Sequence, residues 1–118
     1  MKALDRLLQR WRIAKTRRFL RPGDRVLDVG SADGALFRAF PWLGESVGID
    51  PHVDPAGFPR GARAVRGEFP AALDAGERFD ALSLLAVLEH VPEPEQPAFA
   101  LACARVLRPD GHLLATVP

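Results

Sequence analysis

Residues 26–34, VLDVGSADG, constrain this chain more than any other stretch. An apolar strand over residues 25–29 runs into a turn of small residues, and a helix is predicted to begin near Gly34. Such a turn lets backbone N–H groups and a helix N-terminus approach a ligand that a larger side chain would exclude. Twenty-two residues after Asp28, a second short apolar run, residues 46–49, ends in Asp50. A glycine turn paired with a later strand-end acid is how a Rossmann-type crevice holds a ribose-containing cofactor.

The remaining chain supplies the elements such a crevice needs. Residues 35–40 read as a short helix stopped by Pro41. Residues 62–65 are a weak third strand, and residues 80–85 a fourth, nearly continuous in apolar residues as a strand buried on both faces should be. Phe99, Ala102, Cys103 and Val106 mark one face of a helix over about residues 94–107. A Pro109-Asp110-Gly111 turn then leads into a fifth strand at residues 112–117. Strands alternating with helices predict an α/β fold with a doubly wound parallel sheet.

At 118 residues the chain is one domain. Residues 1–21 form a basic segment, with eight Lys/Arg against Asp5, whereas residues 22–118 carry a net negative charge. Leu4, Leu7, Leu8 and Trp11 recur at helical spacing, so residues 3–20 read as an amphipathic helix packed on the domain edge. Its basic face is either solvated or attracts an anion: a substrate, nucleic acid or acidic lipid. No aromatic interleaving supports nucleic acid. The lone Cys103, the lack of a signal-like apolar core and the lack of a membrane-spanning run argue for a cytoplasmic protein. No Cys/His cluster has zinc spacing, so no metal is expected.

These residues carry a resemblance. VLDVGSADG, the acid in GID, GEFP at residues 67–70, FDALSLLAVLEHVPEP at residues 79–94 and RVLRPDGHLLATVP at residues 105–118 occur in the order seen in class I S-adenosylmethionine-dependent methyltransferases. The chain resembles the broad group of that family with an FD…LEH segment. The resemblance implies a Rossmann-like sheet of strand order 3-2-1-4-5 and S-adenosylmethionine as cofactor. It also implies methyl transfer to an O, N or C atom of a small-molecule acceptor. The family's final antiparallel strand pair has no counterpart here, so the resemblance implies a fragment or truncated product of such a domain, with strand five otherwise an edge open to pairing with a second copy.

The same resemblance assigns residues. Gly30, Ser31, Ala32 and Gly34 would form the turn beneath methionine and ribose, with Asp28 facing the cationic amino-acid end. Ala32, where many such turns have glycine, is tolerable if its φ is negative. Asp50 would accept from both ribose hydroxyls, Pro51 or His52 would cover adenine, and Glu68 and Phe69 would meet its amino edge. Leu84 and Leu85 would line the methionine side. His90 is the candidate base toward a hydroxyl acceptor, against a structural role in the recurrent LEH segment. Quinone-biosynthesis members carry an acid where this chain has Ala86, so a metal site is not carried over. Two rival functions remain: a cofactor-binding module or inactive fragment without transfer, and a nicotinamide oxidoreductase on a similar crevice.

Overall fold

Runs of Val, Leu and Ile between glycine and proline punctuation become strands, and the helices cover both faces of the sheet they build. The computed structural model describes residues 3–117. Its elements are α1 (Ala3–Thr16), β1 (Val26–Val29), α2 (Ala35–Ala39), β2 (Ser46–Asp50), β3 (Ala62–Arg66), β4 (Phe79–Leu85), α3 (Gln96–Val106) and β5 (Leu107–Thr116). The strands form one parallel sheet in the order β3-β2-β1-β4-β5, as the resemblance implies.

The two-residue period of a strand sorts side chains between two cores. Leu27, Val29, Leu82 and Leu84 face α3, where Cys103 and Val106 meet them. Val26 and Ala81 face the opposite side and pack with Ile13 of α1 and Leu36 and Phe37 of α2. Asp28 and Ser83, two residues on from Val26 and Ala81, therefore belong to the α1/α2 side. The register of β1 on β4 sets these two directly opposite each other.

Two elements depart from the sequence reading. α1 ends at Thr16 and continues as a 3-10 turn over Arg17–Phe19. Its Leu4, Leu7, Leu8 and Trp11 stripe is exposed, and the helix instead packs through Ile13 and Thr16. Periodicity identified the apolar stripe correctly but could not say that this stripe stays outside. β5 begins at Leu107, directly after α3, rather than at residue 112. Phe79 pairs with Leu107 and Ala81 with His112, so one β4 residue faces four on β5. The expected Pro-Asp-Gly turn is a bulge inside the strand, and the facing Asp80 ties Arg108, at the start of the bulge, to Arg25 just before β1. Its carboxylate accepts from Arg108 Nη1 at 2.7 Å and from the Arg25 backbone N–H at 2.8 Å. Burial opposes the charge on Asp80, but these donors and the two arginine charges hold its carboxyl below the usual 3.8.

Candidate functional site

Asp28 sits at the C-terminal end of β1 with 4% of its surface exposed. Ser83 Oγ donates to its Oδ1 at 2.7 Å across the β1–β4 pairing. Burial pushes the Asp28 carboxyl from 3.8 up to about 7; the Ser83 bond opposes the shift and the Asp50 charge adds to it. Ser83 was missed in the sequence, although it is the one polar residue in the apolar run 81–85.

The turn after β1 is held by β2. Gly30 adopts φ +76° and its N–H donates to Ile49 O at 2.8 Å. A Cβ at Gly30 would lie 3.1 Å from Val87 Cγ2. Ser31 lies over Gly48, where an added Cβ would come within 2.7 Å of the Ser31 hydroxyl. That hydroxyl is buried and has no hydrogen-bond partner among the described residues. Ala32 has φ +51°, in the left-handed region and not at the negative φ that would spare its methyl group. Its N–H donates to Asp50 Oδ2 at 3.0 Å, while the His52 N–H donates to Oδ1 at 2.8 Å. Asp50 thus ties the β1 turn to the β2 turn, and each carboxylate oxygen keeps further acceptor capacity.

Asp28, Gly30 and Ser31 open on a cavity of about 380 Å³. Asp28, Gly30, Ser31, Leu36 and Leu85 form its floor, and Asp5, Leu8, Gln9, Arg12 and Ile13 of α1 form its roof. The roof was not legible in the sequence, since only tertiary packing brings α1 across the sheet end.

The other sequence-predicted residues fall outside the cavity lining. Asp50 is half-buried just beyond the cavity, with Pro51 and His52 exposed beside it. The Gly67 N–H donates to Asp50 O at 3.2 Å, bringing the β3 loop with exposed Glu68 alongside. Half-buried Phe69 packs edge-on to Phe99 at 5.7 Å. Gly34 serves packing: its φ is +80°, and a Cβ there would lie 2.6 Å from Pro59 Cδ. Leu84 is fully buried in the α3-side core and lines no part of the cavity. Strand alternation gives the lining position to Leu85 and turns Leu84 away. His90 is exposed at the end of a 3-10 turn and is outside the cavity lining.

Ala86, just past β4, is the second alanine in the left-handed region, at φ +59°. Its N–H donates to Thr116 Oγ1 at 2.9 Å. Two such residues at neighbouring strand ends concentrate backbone strain where the cavity opens, a placement typical of ligand sites.

Comparison with known proteins bears on this geometry. Residues 2–118 match a family described as a methyltransferase domain. Over 107 residues the chain is 38% identical to a ubiquinone biosynthesis O-methyltransferase of Rhizobium etli, an alignment covering 80% of this chain and 42% of that one. A protein of the same name from Thiobacillus denitrificans is 36% identical over 100 residues, covering 75% and 42%. The chain thus spans about two-fifths of the length of these curated relatives. Among solved structures, a Burkholderia thailandensis 1,6-didemethyltoxoflavin-N1-methyltransferase with bound S-adenosylhomocysteine superposes with TM-score 0.77. It is 22% identical, and the match covers 92% of this chain and 51% of that one. An N-methyltransferase from Bradyrhizobium japonicum superposes with TM-score 0.70 at 20% identity, covering 94% and 68%. At those identities the likeness is one of fold.

Proposed function

The chain belongs to the methyltransferase-domain family, and we propose that it binds S-adenosylmethionine at the sheet end roofed by α1 and serves methyl transfer to a small-molecule acceptor. The observation that carries this reading is one cavity holding a buried carboxyl, Asp28, and a buried hydroxyl, Ser31 Oγ, without a partner among the described residues. Both suit a ligand that brings positive charge and polar groups to them.

When bound, S-adenosylmethionine supplies a sulfonium-activated methyl group for attack by an acceptor O, N or C. Asp28, ionised, would balance the positive charge of the amino-acid end, with Ser83 fixing its carboxylate. Ser31 Oγ would find there the partner it lacks. Asp50 would accept from the ribose diol, a charge-assisted pair of bonds from a side chain already immobilised by two backbone donors. Pro51 or His52 would cover adenine, and Glu68 with the Phe69 N–H would meet its edge. Leu85 and Leu8 would exclude water from the reacting end. Alignment and dehydration supply much of the rate in such a displacement, so no base is assigned to His90. The relatives' name, O-methyltransferase, favours an oxygen acceptor.

A thermal-shift panel tests the reading. At a hundredfold excess over Kd, S-adenosylmethionine and S-adenosylhomocysteine should each stabilise the chain by about 2.7 kcal/mol, while NADH leaves its Tm unchanged. Stabilisation by NADH alone would turn the assignment to a nicotinamide enzyme. Cofactor binding without transfer to any phenol, amine or carbon acid would make the chain a binding module.

A further inference from the structure

α1 buries Ile13 and Thr16 and presents Leu4, Leu7, Leu8 and Trp11 to solvent, with Leu4 64%, Leu7 62% and Trp11 55% exposed. These four positions fall on one face of the helix, so they form a continuous apolar stripe. Phe19, 44% exposed, follows in the 3-10 turn. Exposed Arg6, Arg10, Lys15, Arg17 and Arg18 accompany the stripe, and Lys15 Nζ stands 3.6 Å from the Trp11 ring centre. The segment of residues 1–21 has eight Lys/Arg and a single acid, Asp5, whereas the rest of the chain is net negative.

We propose that α1 docks this leucine–tryptophan stripe flat on an anionic lipid bilayer, with the flanking arginines and lysines at the headgroups. Two chemical demands on one helix select that occupant. Leucines spaced along a helix face gain by leaving water, and a bilayer boundary accepts them while the basic side chains stay at the polar surface. A nucleic acid would meet the cations but leave Leu4 and Leu7 in water. A second copy apposed through α1 would set like charges together. Lipid of negative charge satisfies both the apolar and the basic groups. No helix among the described residues is long and apolar enough to cross a membrane, so the attachment is peripheral. Leu8 also lines the cavity under α1, but Leu4, Leu7, Arg6 and Arg10 line no part of it, so substitutions at these four separate docking from cofactor binding.

Vesicle flotation of the full chain tests this, using phosphatidylcholine alone and phosphatidylcholine with about one part in three phosphatidylglycerol. Binding should be at least about tenfold stronger to the anionic vesicles, with a blue shift of Trp11 emission that Trp11→Phe removes. Leu4→Glu/Leu7→Glu and Arg6→Glu/Arg10→Glu should each abolish flotation while circular dichroism stays that of the wild type. Three results would overturn the proposal: no flotation of the folded chain, flotation insensitive to Leu4→Glu/Leu7→Glu, or a Leu4/Leu7-dependent dimer or acidic-protein complex that excludes vesicles.

Discussion

Burial holds the Asp28 carboxyl near 7, although the Ser83 hydroxyl donates to it at 2.7 Å. Between pH 3.8 and about 7 the folded chain therefore binds more protons at this site than the unfolded chain. The stability from this group is full below the lower value and is lost as pH rises through the upper one. Asp28→Asn, which cannot ionise, should raise the Tm of the unliganded chain relative to wild type at about pH 8, with little difference near pH 4. The same variant should weaken S-adenosylmethionine binding about tenfold or more, because the ligand's positive charge loses its counter-ion. Wild-type affinity should rise as pH rises through about 7, since binding favours ionised Asp28. Ala32 carries a different cost. At φ +51° its Cβ is strained, and Ala32→Gly should stabilise the chain by up to about 1 kcal/mol in chemical denaturation. The N–H to Asp50 is a backbone group and survives that change, so cofactor affinity should hold.

At the scale of elements, the strands and their order were legible because each is a short apolar run between turn residues. Asp28, Gly30 and Asp50 were legible because a crevice at a strand end needs small residues and an acid there. Strand alternation separates the leucine pair of β4: with Asp28 and Ser83 facing α1, Leu85 faces it too and Leu84 faces α3. The start of β5 was hidden because Pro109-Asp110-Gly111 has turn chemistry, and only pairing with β4 on both sides, with Asp80 clamping Arg108, makes it a bulge. That clamp predicts its own pH dependence. Asp80 has a lowered carboxyl value, so its contribution is present above 3.8 and is lost as pH falls through the folded value. Asp80→Asn should cost about 1–2 kcal/mol at neutral pH and remove that acid-side loss, as read by denaturation at several pH values. At the junction of β2 with the β1 turn, Gly48 has no room for a methyl group. A Cβ there would lie 2.5 Å from Phe58 Cζ and 2.7 Å from Ser31 Oγ. Gly48→Ala should destabilise the chain by about 1–3 kcal/mol and displace Ser31.

Across the whole molecule, two faces of α1 do different work. Its Asp5, Leu8, Gln9, Arg12 and Ile13 side closes over the cavity, and Leu4, Leu7 and Trp11 look outward. Sequence periodicity found the helix but could not distinguish these faces, because the buried side is short and partly polar. The sheet brings the ends of β1, β2 and β4 together at one rim, and α1 roofs the β1 and β4 part of it into a half-open cavity. In the proposed function this rim holds S-adenosylmethionine through Asp28 in the cavity and Asp50 beside it. Calorimetric titration of the chain with S-adenosylhomocysteine, beside Asp50→Ala, tests it most directly. Saturable one-to-one binding, weakened about tenfold or more in a folded Asp50→Ala chain, is the predicted result. A well-folded wild-type chain that gives no binding heat, or equal affinity in the two proteins, would contradict it.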